Sequence, residues 1–221
     1  MTLRFPQFAR AATRIATVSD YSKRDIVETY GIDGRKVDVV YDGSNPLYRP
    51  HTDEEKAAVR NKFTRGNPYL IFVSTILKRK NLANLLLAFD EVKDMKPSAL
   101  KLIVVGSRVW WKDELAIAYD NMRHRDDVLL VGRAEPDDLS ALMSAAEALV
   151  YPSYFEGFGI PILEAMYAET AVICSRTTSM PEDGHHIILN TQILGQLHCV
   201  LNRVIRRELR RHHHRTHILD T

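Results

Sequence analysis

Residues 69–106 read YLIFVSTILKRKNLANLLLAFDEVKDMKPSALKLIVVG and contain the unit that decides the fold. The β-branched and aromatic run Tyr69–Thr75 predicts a strand, Asn81–Met95 predicts a helix, and Leu100–Gly106 predicts a second strand. This order is typical of two parallel strands joined by a crossover helix. Because Leu102–Val105 is apolar at successive positions, we expect helices to cover both faces of the sheet.

The same alternation continues along the chain and predicts three more strands. They are Val128–Gly132, Leu149–Pro152 and Ala171–Ser175. The helices between them are predicted at about Lys112–Met122, from Pro136 and from about Gly159. The core is therefore predicted to be of the α/β class, a Rossmann-like doubly wound sheet of five parallel strands.

The segment before this core is predicted to contain two strands and two helices. They are the strands Arg14–Ser19 and Val37–Tyr41, the helix Asp20–Tyr30 and a helix from Thr52 to about Phe63. Ser19 is the expected N-cap of the first helix and Gly31 its left-handed stop. Thr52 and Glu55 have the spacing of a capping box, which indicates where the second helix begins.

The carboxyl-terminal residues do not continue this pattern. Residues 203–217 carry six arginines against one acid, Glu208, although the whole chain has a net charge of only +2. The body is therefore not a basic nucleic-acid binder, and the tail is either a solvated terminal helix or a short patch for an anionic surface or a nucleic acid. We predict one domain at residues 1–190, with an entry segment at 1–68 and a core at 69–182, followed by an atypical basic tail at 191–221.

The composition indicates a globular protein of a reducing compartment. With 221 residues, 45% of them hydrophobic, the chain can close one sizeable core. Cys174 and Cys199 are too few for a disulfide framework. The longest apolar runs are strand-sized, against the roughly 20 residues of a membrane span. Because Arg4, Arg10 and Arg14 interrupt the first apolar residues, no secretory signal is predicted and we expect a cytoplasmic protein.

Two segments place polar groups at the carboxyl ends of predicted strands, where doubly wound sheets bind ligands. Residues 74–81, STILKRKN, form a cationic loop, and residues 154–166 read YFEGFGIPILEAM. In the second segment, Gly157 and Gly159 allow a ligand to approach the backbone at a helix N-terminus, which predicts a phosphate site. Glu156 and Glu164 are suited to sugar hydroxyls, so a phosphorylated sugar or a nucleotide is the expected ligand.

These motifs together resemble those of a known family. Glu156 and Glu164 form an E-x7-E pattern that is accompanied by LKRKN, EPDDLSALMSAAEALVYPS and SMPE. With TVSDYSKRD upstream, the chain from about Arg14 to Glu182 resembles the donor-binding domain of family 4 retaining glycosyltransferases of the GT-B fold. The resemblance implies transfer of a sugar from a nucleoside diphosphate-sugar to an acceptor hydroxyl, with retention and without a metal or other cofactor.

The resemblance also implies roles for individual residues. Lys80 and Arg79 would neutralise the leaving diphosphate, Glu156 would hold the donor sugar, and Glu164 would hold the ribose. The remaining donor contacts would come from Gly157, Phe158, Gly159 and Ile160 for the sugar and phosphate, and from Val131, Gly132 and Arg133 for the nucleobase.

Several readings of the function stay open at this point. The leading one is a hexosyl or mannosyl transferase of polysaccharide assembly that would meet its acceptor at the inner membrane surface. A GT-B enzyme binds its acceptor in an amino-terminal domain that has no counterpart in this sequence, so an acceptor domain or partner chain is expected to supply it. The alternative is a non-catalytic nucleotide-sugar-binding module or an incomplete enzyme half. A dehydrogenase is disfavoured, because no G-x-G-x-x-G follows the first core strand.

Overall fold

The computed structural model describes residues 5–43, 45–107 and 114–183. The predicted tail at 191–221 and the beginning of the helix predicted from about Lys112 lie outside the described residues. The described helices are α1 Phe5–Ala11, α2 Asp20–Tyr30, α3 Asp53–Thr64, α4 Leu82–Met95, α5 Glu114–Asp120, α6 Pro136–Ser144 and α7 Ile160–Tyr167. The described strands are β1 Ile15–Thr17, β2 Val37–Val39, β3 Tyr69–Val73, β4 Lys101–Val105, β5 Val128–Gly132, β6 Ala148–Tyr151 and β7 Ala171–Cys174.

The central sheet contains five parallel strands in the order β5-β4-β3-β6-β7. The predicted α/β class and the predicted five-stranded parallel core are confirmed. Successive strands from β3 to β5 lie to one side of β3, whereas β6 and β7 lie on its other side. The direction of winding therefore reverses between β3 and β6, and the crevice at such a switch point is where open α/β sheets bind ligands.

Two apolar layers cover the two faces of the sheet. All five residues of β3 are buried, and they alternate between the faces, with Leu70 and Phe72 in one cluster and Ile71 in the other. Helix α4 supplies the first cluster, while α6 and α7 supply the second. The run Leu129–Val131 is only half-buried, because β5 is an edge strand of the sheet and has one neighbouring strand. Coverage of both faces, predicted from the apolar runs, is thus confirmed for the inner strands.

The entry segment forms a separate parallel pair, β1 with β2, and carries the predicted helix caps. The Ser19 side chain accepts a hydrogen bond from the Ser22 backbone N–H, and Gly31 ends α2 at φ 61°. The capping box of α3 forms between Thr52 and Glu55. The Ser19 hydroxyl also donates to the carbonyl of Gly157 at 2.7 Å, which ties the entry segment to the core.

Most of the predicted strands extend past the observed ones at their carboxyl ends. Ser74 and Thr75, for example, were predicted to continue β3 but lie in the loop after it. At this edge of the sheet the backbone stops pairing with neighbouring strands and lines a cavity instead. An apolar pattern alone therefore does not predict the residue at which the strand ends. No helix in the described part of the chain has both the length and the apolar character to cross a bilayer.

Candidate active site

A cavity of about 810 Å³ opens at the carboxyl ends of β3, β4 and β6. It lies at the switch point of the sheet. Of the residues with predicted roles, those that line it are Arg79, Lys80, Arg133, Glu156, Phe158, Gly159 and Ile160. The described lining does not include Val131, Gly132, Gly157 or Glu164.

The cationic loop orients its three charged side chains differently. Lys78–Lys80 form a single 3-10 turn, after which Asn81 adopts the left-handed conformation at φ 61° and anchors the loop through its amide to the Pro152 carbonyl at 2.9 Å. The Lys80 side chain is 9% exposed and faces the cavity, whereas the Lys78 side chain is 83% exposed and pairs with Glu114. The turn therefore directs one lysine inward and the other outward.

Glu156 joins Lys80 and Arg79 in one cluster. The Lys80 ammonium donates to Glu156 Oε1 at 2.6 Å, and the Arg79 guanidinium donates to Glu156 Oε2 at 2.9 Å. Arg79 also donates to the carbonyl of Phe155 at 2.9 Å. Because Lys80 and Glu156 are both buried, we expect their interaction to be weakly screened by solvent.

Burial shapes the proton affinity of this cluster. It would raise the pKa of the Glu156 carboxyl, but hydrogen bonds from Lys80, Ser153 and Arg79 and the charge of Lys80 outweigh it and hold the pKa below its usual value. Burial lowers the pKa of the Lys80 ammonium, and the Glu156 carboxylate compensates only in part. Glu156 is therefore an anion at neutral pH, and Lys80 loses its proton more readily than an ordinary lysine.

The segment after β7 supports the loop that carries Glu156. The Thr178 hydroxyl accepts from the Glu156 backbone N–H at 3.1 Å, and the Ser179 hydroxyl lies 2.9 Å from the carbonyls of both Glu156 and Phe158. The sequence predicted no role for Thr178, and Ser179 was noted only as the first residue of the SMPE motif. Their hydroxyl side chains follow the carboxyl end of a strand, which indicates a position near the site. Nothing in the sequence, however, shows which loop they contact.

Glu182 links the end of the described core to the entry segment. Its carboxylate accepts hydrogen bonds from the backbone N–H groups of Asp20 and Tyr21 at 2.6 and 2.5 Å, in the first turn of α2. An acid at a helix N-terminus satisfies free N–H groups and complements the helix dipole. The SMPE motif thus fixes α2, whose Ser19 cap holds the Gly157 carbonyl.

Glu164 lies apart from the cation cluster and contacts a tyrosine of the entry segment. It projects from α7, where its partner is the hydroxyl of the buried Tyr48. Burial raises the pKa of the Glu164 carboxyl, and the hydrogen bond from Tyr48 opposes this only in part. The two carboxylates of the E-x7-E pattern therefore have different partners and different environments.

The glycine-rich loop leads directly into α7. Gly159 is the N-cap residue of α7 and has a φ of 128°, and Ile160 is the first helical residue. No side chain caps the N-terminus of this helix at Gly159. With Pro161 in the first turn, this helix begins without the first-turn acidic residues that α2, α3, α5 and α6 carry. Phe158, Gly159 and Ile160 line the cavity, so the beginning of α7 faces the space between the strand ends and the cations.

Within residues 5–43, 45–107 and 114–183, no group of three or more His, Cys, Asp or Glu side chains is arranged to hold a metal ion.

Comparison with known proteins identifies the family. Residues 53–183 match the family described as "Glycosyl transferases group 1". The chain is 32% identical over 173 residues to the O-antigen chain mannosyltransferase B of Escherichia coli, covering 78% of this chain and 45% of that protein. It is 32% identical over 161 residues to the O-antigen chain mannosyltransferase RfbU of Salmonella typhimurium, covering 73% of this chain and 41% of that protein. The chain thus spans less than half the length of these two curated relatives.

Solved structures agree with the fold. Anabaena Alr3699/HepE, solved in complex with UDP and glucose, matches with a TM-score of 0.72 at 18% identity, covering 93% of this chain and 64% of that one. WaaG, a glycosyltransferase involved in lipopolysaccharide biosynthesis, matches with a TM-score of 0.66 at 19% identity, covering 88% of this chain and 54% of that one. The family match covers more than half of the chain, and its residues include the cationic loop and both carboxylates of the E-x7-E pattern. The chain therefore belongs to the group 1 glycosyl transferases.

Proposed function

We propose that the cavity binds a nucleoside diphosphate-sugar and that the chain is the donor-binding part of a retaining glycosyltransferase. The observation that carries this proposal is the cluster of Lys80, Arg79 and Glu156 at the switch point of the sheet. A diphosphate needs several positive charges, and a sugar needs hydrogen-bond acceptors beside them. This cluster provides both chemical types within one cavity.

Lys80 and Arg79 are proposed to bind the diphosphate and stabilise it as it leaves. In the transfer step, the bond between the anomeric carbon and the diphosphate oxygen breaks, and its electron pair leaves with the diphosphate. The acceptor oxygen bonds to the same face of the anomeric carbon, and its proton passes to the departing diphosphate. Because negative charge grows on the diphosphate as the bond breaks, cations fixed beside it stabilise the transition state more than the bound donor.

Glu156 is proposed to hold hydroxyls of the transferred sugar while it keeps its two cationic partners. A carboxylate has about four acceptor sites, so two cations do not saturate it. Glu164, oriented by Tyr48, is proposed to hold the ribose. The remaining proposed contacts are Gly157, Phe158, Gly159 and Ile160 for the sugar and phosphate, and Val131, Gly132 and Arg133 for the nucleobase.

The transferred sugar is proposed to be a hexose, with mannose favoured, and the product a polysaccharide or glycoconjugate. The support is the similarity to two O-antigen chain mannosyltransferases. An acceptor domain is proposed to cover an apolar rim near the cavity, since Val40, Tyr41, Phe155 and Ile160 are all exposed. The rings of Tyr41 and Phe158, 6.1 Å apart, connect this rim to the cavity lining.

The reaction is further proposed to need no metal, because Lys80 and Arg79 supply the positive charge that a divalent cation would otherwise provide. The test is donor binding and transfer with and without EDTA. Unchanged values are expected. A loss that Mg²⁺ or Mn²⁺ restores would contradict this part of the proposal.

Two measurements test the proposed function. Calorimetric titration with UDP-, GDP-, ADP- and TDP-sugars is expected to give saturable binding to one of them. Transfer is then measured with the labelled donor and pooled cell-envelope acceptors, with and without an amino-terminal acceptor domain from a similar full-length enzyme. We expect transfer only with that domain, because it supplies the orientation of the acceptor hydroxyl. Absence of binding would refute the proposal, and binding without transfer in either mixture would favour a non-catalytic binding module.

A further inference from the structure

We propose that Tyr151 is a positioning residue of the diphosphate site, whose hydroxyl holds the Lys80 ammonium in the orientation that a diphosphate oxygen requires. This inference rests on the proposed function, because it assigns a supporting residue to the same site. It is carried by the placement of Tyr151 at the carboxyl end of β6, where its side chain is 1% exposed and lines the cavity.

The Tyr151 hydroxyl accepts a hydrogen bond from the Lys80 ammonium at 2.6 Å. The same ammonium lies 4.9 Å from the centre of the Tyr151 ring. Lys80 is therefore held by the hydroxyl oxygen of an aromatic side chain that the sheet fixes in place. Strand β6 pairs with β3 and β7, so this support is rigid compared with the loop that carries Glu156.

An ammonium group has three N–H donors, and their directions are coupled. Within the described part of the chain, Glu156 and Tyr151 accept two hydrogen bonds from Lys80. Two fixed acceptors determine the rotation of the ammonium about its last bond, and thereby the direction of its third N–H. Because the lysine stem is flexible, Glu156 alone would leave that direction undetermined.

The hydroxyl also favours the charged form of Lys80. Burial lowers the pKa of this lysine, and the hydrogen bond from its ammonium to Glu156 acts in the opposite direction. A hydrogen bond from the same ammonium to the Tyr151 oxygen favours the charged form for the same physical reason. Burial and the nearby Glu156 carboxylate raise the pKa of the Tyr151 phenol, so it stays neutral and remains available as an acceptor. Loss of the hydroxyl should therefore lower the pKa of Lys80 further.

The test compares Tyr151→Phe with Tyr69→Phe in the 221-residue chain. Both tyrosines are buried in strands of the same sheet, and the Tyr69 hydroxyl donates to the Leu142 carbonyl at 2.7 Å, without contact to Lys80. Each substitution removes one buried hydroxyl and keeps the ring. The pKa of Lys80 is measured by NMR titration of labelled lysine, assigned with Lys80→Arg, and UDP and GDP affinities are measured by calorimetry.

We expect Tyr151→Phe to lower the pKa of Lys80 and to weaken the tighter-binding nucleoside diphosphate about tenfold, as for a lost hydrogen bond to a charged group. Tyr69→Phe should change neither value. In a Lys80→Ala background, Tyr151→Phe should change affinity less than twofold, because the two residues act through one interaction.

Two results would overturn the role of Tyr151, and a third would instead overturn the proposed diphosphate site. An unchanged Lys80 pKa and unchanged affinity in Tyr151→Phe would overturn the inference. Equal effects of Tyr151→Phe in the presence and absence of the Lys80 ammonium would also overturn it, since the tyrosine would then act elsewhere. If Lys80→Ala bound UDP and GDP as well as the original chain, the proposed diphosphate site itself would be wrong, whereas the NMR titration would still decide whether Tyr151 controls Lys80.

Discussion

Replacement of Lys80 by alanine is expected to weaken nucleoside diphosphate binding far more than replacement of Lys78. Lys80 is buried beside the cavity and retains a donor for a ligand, so its loss removes a charge-assisted hydrogen bond of about 1.5–3 kcal/mol. This range corresponds to affinity that is about ten- to a hundredfold weaker. Lys78 is exposed and pairs with Glu114 at 3.1 Å, an interaction of about 0–1 kcal/mol that does not involve the cavity.

The assay is calorimetric titration of Lys80→Ala and Lys78→Ala with UDP and GDP, at two salt concentrations. Thermal unfolding of both variants serves as the control. Because Arg79 remains 2.9 Å from Glu156, we expect the buried carboxylate to keep a partner and the Lys80→Ala variant to stay folded. Affinities of both variants equal to that of the original chain would refute the assignment of Lys80 to the diphosphate. A loss of affinity in Lys78→Ala that matched Lys80→Ala would show that general surface charge attracts the nucleotide.

Three further predictions concern the second carboxylate, the pH dependence and the strand end. Glu164→Ala should weaken free UDP or GDP and the corresponding nucleotide-sugar by the same factor in calorimetry, since it is proposed to hold the ribose; a loss confined to the nucleotide-sugar would contradict that role. Burial lowers the pKa of Lys80, so affinity should fall as the pH rises through that lowered pKa, and Lys80→Arg should abolish this alkaline loss; a flat profile for the original chain would contradict it. A Cβ at Gly106 would lie 2.1 Å from the Ser74 carbonyl oxygen, so Gly106→Ala should lower the free energy of unfolding in urea by about 1–3 kcal/mol, whereas Gly34→Ala, with its nearest contact at 3.6 Å, should change it little.

Local patterns in the sequence were sufficient to predict most of the elements. Ser19 caps the beginning of α2 and Gly31 its end, as predicted, and Thr52 and Glu55 form the predicted capping box. These features depend on groups within a few residues of one another. The apolar runs likewise predicted five parallel core strands, because a strand buried on both faces must be apolar at successive positions.

The ends of the strands were predicted less well, and for a physical reason. Beyond the hydrogen bond from the Ser74 N–H to the Val105 carbonyl of β4, the chain leaves the sheet to line the cavity, but its residues remain compatible with a strand. Hydrogen bonding to β4 decides where β3 ends. In the sequence, β4 is separated from β3 by helix α4 and the loops on either side of it. A local pattern contains no information on that pairing.

The sequence by itself determined the types of the site residues, namely two cations after one strand and two carboxylates around a glycine-rich loop. Only the tertiary structure decided their partners. Lys80 meets Glu156 across 76 residues of sequence, and Glu182 meets Tyr21 across 161. The contact of Lys80 with Glu156 arises because β3 and β6 are neighbours in the sheet, and strand order is set by the packing of helices on both faces. Residue types follow from local chemistry, whereas the pairing of distant charges follows from a sheet order that no local segment specifies.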